Sequence, residues 1–134
     1  FILRKTPLGR KIYAVGGNEK VSFIAGIKIE RVKIFVYAIT GFFCALAGAV
    51  LTSRLNSAQP TAGTGYELDA IAAVVLGGTS LSGGKGYITG TLVGVLIIGT
   101  LNIGLNILDV SSFYQQVVKG IVILLAVLMD RKKA

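Results

Sequence analysis

The chain has 134 residues, 53% of them hydrophobic and 15% charged, with 18 glycines and a mean hydropathy of +0.74; a soluble domain carries about 25% charged residues, so the composition points to a membrane protein. Histidine is absent and Cys44 stands alone in an apolar run, which excludes a His/Cys metal cluster and an intrachain disulfide. The net charge of +8 would suit nucleic acid only if the cations shared one soluble surface, whereas here they flank apolar runs, so nucleic acid is not an expected partner.

The opening FILRKT has no charged region ahead of an apolar stretch and no cleavage site, unlike a signal peptide. Phe1–Leu3 is expected to be the tail of a span, and the chain the C-terminal part of a longer protein. Next comes GRKIYAVGGNEKVSFIAGIKIER, residues 9–31. Gly16 and Gly17 predict a turn and Asn18 a helix N-cap. Glu19 suits the positive end of that helix, and Gly26 ends it about two turns later. Val21, Phe23, Ile24 and Ile27 give the short helix apolar surface, suited either to lying on the membrane or to inserting into a cytoplasmic partner.

Residues 34–53 carry no charge between Lys33 and Arg54. Roughly 20 residues at about 1.5 Å each cross a hydrocarbon core of about 30 Å, so this is the first expected transmembrane helix. Gly41 and Ala45 give it a small-residue face for another helix. The loop SAQPTAGTGYELD, residues 57–69, has no cation. It either joins spans or forms an outer rim where Glu67 and Asp69 meet an external protein.

The following AIAAVVLGGTSLSGG is charge-free but short for a span, and it is broken at Gly77-Gly78, because glycine costs about 1 kcal/mol relative to alanine in a helix. A short helix followed by irregular backbone is expected, and a bilayer tolerates that only beside protein or a wet cavity. Residues 86–108 are a second full span, with Gly86, Gly90 and Gly94 as a ladder for close backbone approach. A third, 112–129, encloses Lys119, a charge that costs a few kcal/mol at depth unless it snorkels or faces water. Lys119 therefore either reaches the outer interface or, with Gln115 and Gln116, lines a wet pathway for a polyhydroxyl solute.

Cations near span ends are retained in the cytoplasm. Arg4, Lys5, Arg10, Lys11, Lys20, Lys28, Arg31 and Lys33 precede the first span, and Arg131, Lys132 and Lys133 follow the last. Both ends are then expected inside, which requires an even number of crossings. The expected fold is an all-α polytopic membrane bundle with four crossings, about 34–53, 67–82, 86–108 and 112–129, the second short and broken, plus a cytoplasmic coupling helix. A re-entrant loop with an inverted last helix is the alternative.

The stretch GGTSLSGGKG, residues 77–86, comes within one residue of LSGGQ, by which ABC-type ATPases contact nucleotide. A phosphate-cradling GxxxxGK[ST] measured back from Lys85 needs Gly at 79 and Ser or Thr at 86, where Thr79 and Gly86 stand. The likeness is read as accidental and the stretch as a turn between membrane segments. An intramembrane enzyme would need a nucleophile with its base, or metal ligands, and the charge-free spans hold neither a carboxylate nor a histidine. An ion-coupled carrier or channel for a small polar solute stays open, although such a carrier usually shows an intramembrane carboxylate, and Lys119 is the one charge expected at depth.

AVGGNEKVSFIAGI, then SAQPTAGTGYELDAIAAVVLGGTSLSGGKG and the closing QVVKGIVILLAVLMDRKK resemble the permease subunits of bacterial ABC-type sugar importers, from about Gly9 to Lys133. The resemblance implies a multi-pass subunit of the inner membrane, in contact with lipid, that passes ribose or a similar monosaccharide. Its implied partners are a second permease copy, a cytoplasmic ABC ATPase and a periplasmic sugar-binding protein, with no cofactor, metal or enzymatic activity of its own. It also places the ATPase-coupling loop on Gly16, Gly17, Asn18, Glu19 and Gly26. Val21-Ser22 stands where the family often has a smaller pair.

Overall fold

The computed structural model describes residues 2–131, with side chains over 3–128. Phe1, expected in the tail of a preceding span, and the orienting cations Lys132 and Lys133 lie outside the described residues. Every regular element among the described residues is an α-helix, and the chain divides between Gly63 and Thr64 into two units.

The first unit holds α1 (Ile2–Lys5), α2 (Pro7–Gly17), α3 (Glu19–Ile24) and α4 (Ile29–Leu55). Thr6 starts α2: its hydroxyl accepts the Gly9 N–H at 3.3 Å, and Pro7 at the first position has no N–H to leave unpaired. The turn expected at Gly16 and Gly17 is not there, because both glycines complete α2. The Asn18 N–H still closes onto the Ala14 carbonyl at 3.0 Å, and only at Asn18 does the backbone become extended. Its side chain then accepts the Val21 N–H at 3.1 Å and starts α3. Gly26, at φ +79°, ends α3 with two backbone bonds of 3.0 Å, Gly26 N–H to Phe23 and Ile27 N–H to Ser22. This is the paired closure that a left-handed residue allows and that glycine adopts without steric cost.

Helix α4 has 27 residues and takes in Glu30, Arg31 and Lys33 at one end and Arg54 at the other, beyond the charge-free run. At about 1.5 Å per residue it is longer than a hydrocarbon core is thick. Its start packs on α2 and α3 with Val32 buried, while residues 33–50 are exposed throughout.

The second unit holds α5 (Tyr66–Leu76), α6 (Ile88–Ile107) and α7 (Ser112–Arg131). Helix α5 has 11 residues and closes at Gly78, after which residues 79–87 are irregular. It runs antiparallel to α6, since Gly77 abuts Gly90, Ala73 abuts Gly94 and Asp69 meets Asn102. Buried Ala72, Ala73 and Ile98 form the centre, with Val122 and Ile123 of α7 packed against them. The shielded stripe of α7 is Gln115, Val118, Lys119, Val122, Ile123, Ala126 and Val127, a helical 3–4 repeat. Helices α4 and α6 are long and apolar enough to cross a membrane, and α7 is apolar over Ser112–Leu128.

Candidate functional site: a capped helix and a shielded charge cluster

In the first unit, the residues expected to couple to an ATPase gather around α3. Asn18 and Gly26 fix its two ends, and Gly16 and Gly17 form the last turn of α2 that leads into it. Glu19 reaches across to α4 and pairs with Lys33 at 2.7 Å, both side chains about half exposed. An exposed pair of this kind is screened by solvent and adds little stability, so it orients α3 more than it stabilises the unit. Ser22 is buried on the inner side, whereas Val21, Phe23 and Ile24 are 60%, 73% and 85% exposed. Inner packing holds the helix while its apolar residues point away. An open groove beside it is lined by Glu19, Phe23, Gly26, Ile27, Glu30 and Lys33.

In the second unit, Lys119 is neither a bare cation reaching outward nor an open donor. Its Nζ lies 2.6 Å from Asp69 Oδ1, with the side chains only 13% and 20% exposed. Asp69 Oδ2 accepts the Asn102 Nδ2 amide at 3.1 Å. Asp69 Oδ1 has no aligned hydrogen bond, so its contact with the ammonium is ionic, and Asn102 Oδ1 is shielded and accepts nothing. Three helices thus share one cluster. The expectation that Lys119 was the one charge at depth is corrected, because Asp69 in the first turn of α5 lies beside it.

Gln115 is drawn to the neighbouring α6–α7 connection, where Nε2 donates to Asn106 Oδ1 at 3.0 Å and to the Val110 carbonyl at 2.9 Å. Gln116 is exposed, as is Glu67, while Asp69 turns inward and presents little carboxylate to an outside partner. Gly90 and Gly94 lie against the α5 backbone, whereas Gly86 precedes α6 and touches the Thr79 side chain of the irregular stretch. Gly41 and Ala45 are exposed on α4, and a side chain at Gly41 would meet nothing within 4 Å. Sequence reasoning missed Asn102. It was signalled by its spacing, for Gly90, Gly94, Ile98, Asn102 and Asn106 recur every four residues and continue the glycine ladder on one face.

The model of the family described as branched-chain amino acid transport system, permease component, matches residues 1–127. The chain belongs to this permease family. This permease chain is 73% identical to the ribose import permease protein RbsC of Bacillus subtilis (strain 168), over 99% of this chain and 41% of that protein. It is 63% identical to RbsC of Escherichia coli (strain K12), again over 99% of this chain and 41% of the relative. Identity to the xylose transport system permease protein XylH of Escherichia coli (strain K12) is 48%, over 97% of this chain and 33% of the relative. The permease chain thus spans 41% or less of the length of these curated relatives. No solved structure matches it.

Proposed function

We propose that this permease chain forms the C-terminal part of the membrane subunit of an ATP-driven importer for ribose or a similar monosaccharide. The observation that carries this reading is the 73% identity to a ribose import permease along 99% of the chain. In this reading a second permease copy, a cytoplasmic ABC ATPase and a periplasmic sugar-binding protein complete the transporter in the bacterial inner membrane. The ATPase meets α3 at Gly16, Gly17, Asn18, Glu19 and Gly26, with Val21, Phe23 and Ile24 as the apolar peg. A push on this helix, capped at both ends, passes to α4 through Glu19 and Lys33, a rigid-body route.

Four crossings, with the C-terminus in the cytoplasm, agree with the register of α5 on α6. A re-entrant segment 67–82 would need α5 and α6 to start at the same membrane face. Their antiparallel pairing instead separates the two starts by most of the length of α5, about 16 Å. Gln115 and Gln116 then stand toward the outer end of the solute pathway, with Lys119 held off it by Asp69; Glu67 lies at the rim that meets the binding protein, and Gly41 and Ala45 pack against another helix. A shielded Asp69 is the one observation on the side of an ion-coupled carrier, but its partners Lys119 and Asn102 already hold both oxygens.

The test is Glu19→Lys, which replaces an attraction to Lys33 by repulsion. Uptake in the co-expressed transporter is expected to fall while the amount of permease in the membrane stays the same. Undiminished uptake, or uptake driven by an ion gradient without ATP, would count against the reading.

A further inference from the structure

Lys119 is the eighth residue of α7, about 10 Å along its axis from Ser112, and Asn102 lies in the second-last turn of α6. A lone cation at that depth is expelled toward the interface or neutralised, whereas a pair with a hydrogen-bonding third member stays. Here the third member is Asn102, and the pair joins the start of α5 to both longer helices of its unit. The other end of α5 is held differently, by backbone contact of Ala73 and Gly77 with Gly90 and Gly94. Each end of a short helix therefore has its own attachment.

We propose that Asp69, Asn102 and Lys119 are positioning residues for solute passage: an obligate charge-neutral cluster that fixes α5 to α6 and α7 so that the three helices act as one body. The cluster touches no solute. Its charges are interchangeable in kind, because the Asn102 amide can turn and offer Oδ1, which now accepts nothing, to a lysine at position 69. The role in passage rests on the transport reading, and the pairing can be tested without it.

The experiment compares Asp69→Asn, Lys119→Met, the double variant, the exchange of Asp69→Lys with Lys119→Asp, and Lys119→Arg, all in the intact transporter in vesicles. Each neutralising single change is expected to lower the maximal uptake rate at least about tenfold, because it strands one shielded charge. The half-saturating sugar concentration should not move. The double and exchanged variants should recover most of the rate, and Lys119→Arg should keep it. Harmless single changes would overturn the proposal, and so would a raised half-saturating concentration that the double variant does not restore. A single variant that fails to reach the membrane leaves the decision to the double and exchanged variants, since only pairing predicts their recovery. If the unaltered protein shows no ATP-dependent uptake, the transport reading fails by itself. The thermal midpoint of the purified protein then carries the same comparison, with single loss and double recovery expected, and absence of that pattern overturns the cluster.

Discussion

Asn18 ends one helix with its main chain and begins the next with its side chain, so a single residue sets the angle between α2 and α3. An alanine there keeps the N–H that closes α2 but loses the oxygen that receives Val21. Asn18→Ala is therefore expected to cost about 1 kcal/mol at the start of α3, and Asn18→Ser or Asn18→Asp much less. Hydrogen exchange at Val21 in the purified protein reads this directly, with faster exchange in the alanine variant alone. The cap was legible in the sequence as an Asn before a Glu. The place of the bend was not, because Gly16-Gly17 carries the stronger turn signal, yet one hydrogen bond to Ala14 keeps both glycines helical.

For elements, the pairing of α5 with α6 rests on what is missing from Gly94. A Cβ at this position would lie on the Ala73 carbonyl oxygen, 2.9 Å from its carbon and 3.1 Å from the Gly77 nitrogen. Lipid supplies no hydrophobic drive between helices, so close van der Waals contact carries the association. Gly94→Ala is expected to destabilise the unit by about 1–3 kcal/mol, as overpacking does. Gly99→Ala, five residues along the same helix with nothing within 4 Å, should not destabilise and should gain up to about 1 kcal/mol of helix propensity. Thermal midpoints of the two variants in detergent make the comparison.

Residue spacing announced the ladder, including which glycines could face a neighbour, but not which neighbour. Gly90 and Gly94 meet α5, while a side chain at Gly41 on α4 would meet nothing within 4 Å. Asp69 and Lys119 drew separate expectations because they stand 50 positions apart, and a contact of that range leaves no local pattern. Helix α2 is signalled by Thr6-Pro7, a cap followed by a first-position proline, while the cations of its segment report orientation rather than local structure.

For the whole molecule, the distribution of cations and the order of apolar runs gave the all-helical architecture, and belonging to a permease family agrees with it. Crossing number is a property of the chain in its bilayer, and it is testable there. With the exposed Cys44 first replaced by serine, a cysteine at Ser82 is expected to react only with reagents that reach the cytoplasmic face. A cysteine at Leu108 should react with impermeant reagents from outside. Labelling of position 82 from outside would replace four crossings by the re-entrant arrangement.

The pairing of Asp69 with Lys119 also sets an order of events during biosynthesis. The carboxylate leaves the ribosome 50 residues ahead of its ammonium, which at about 5–20 residues per second is a delay of roughly 3–10 s. For that interval an 11-residue helix with an unneutralised charge is too short and too polar to settle in hydrocarbon unaided. In the four-crossing reading, α5 is therefore expected to wait at the membrane surface or within the insertion machinery until α7 is made, so that the last three helices enter the bilayer as a group.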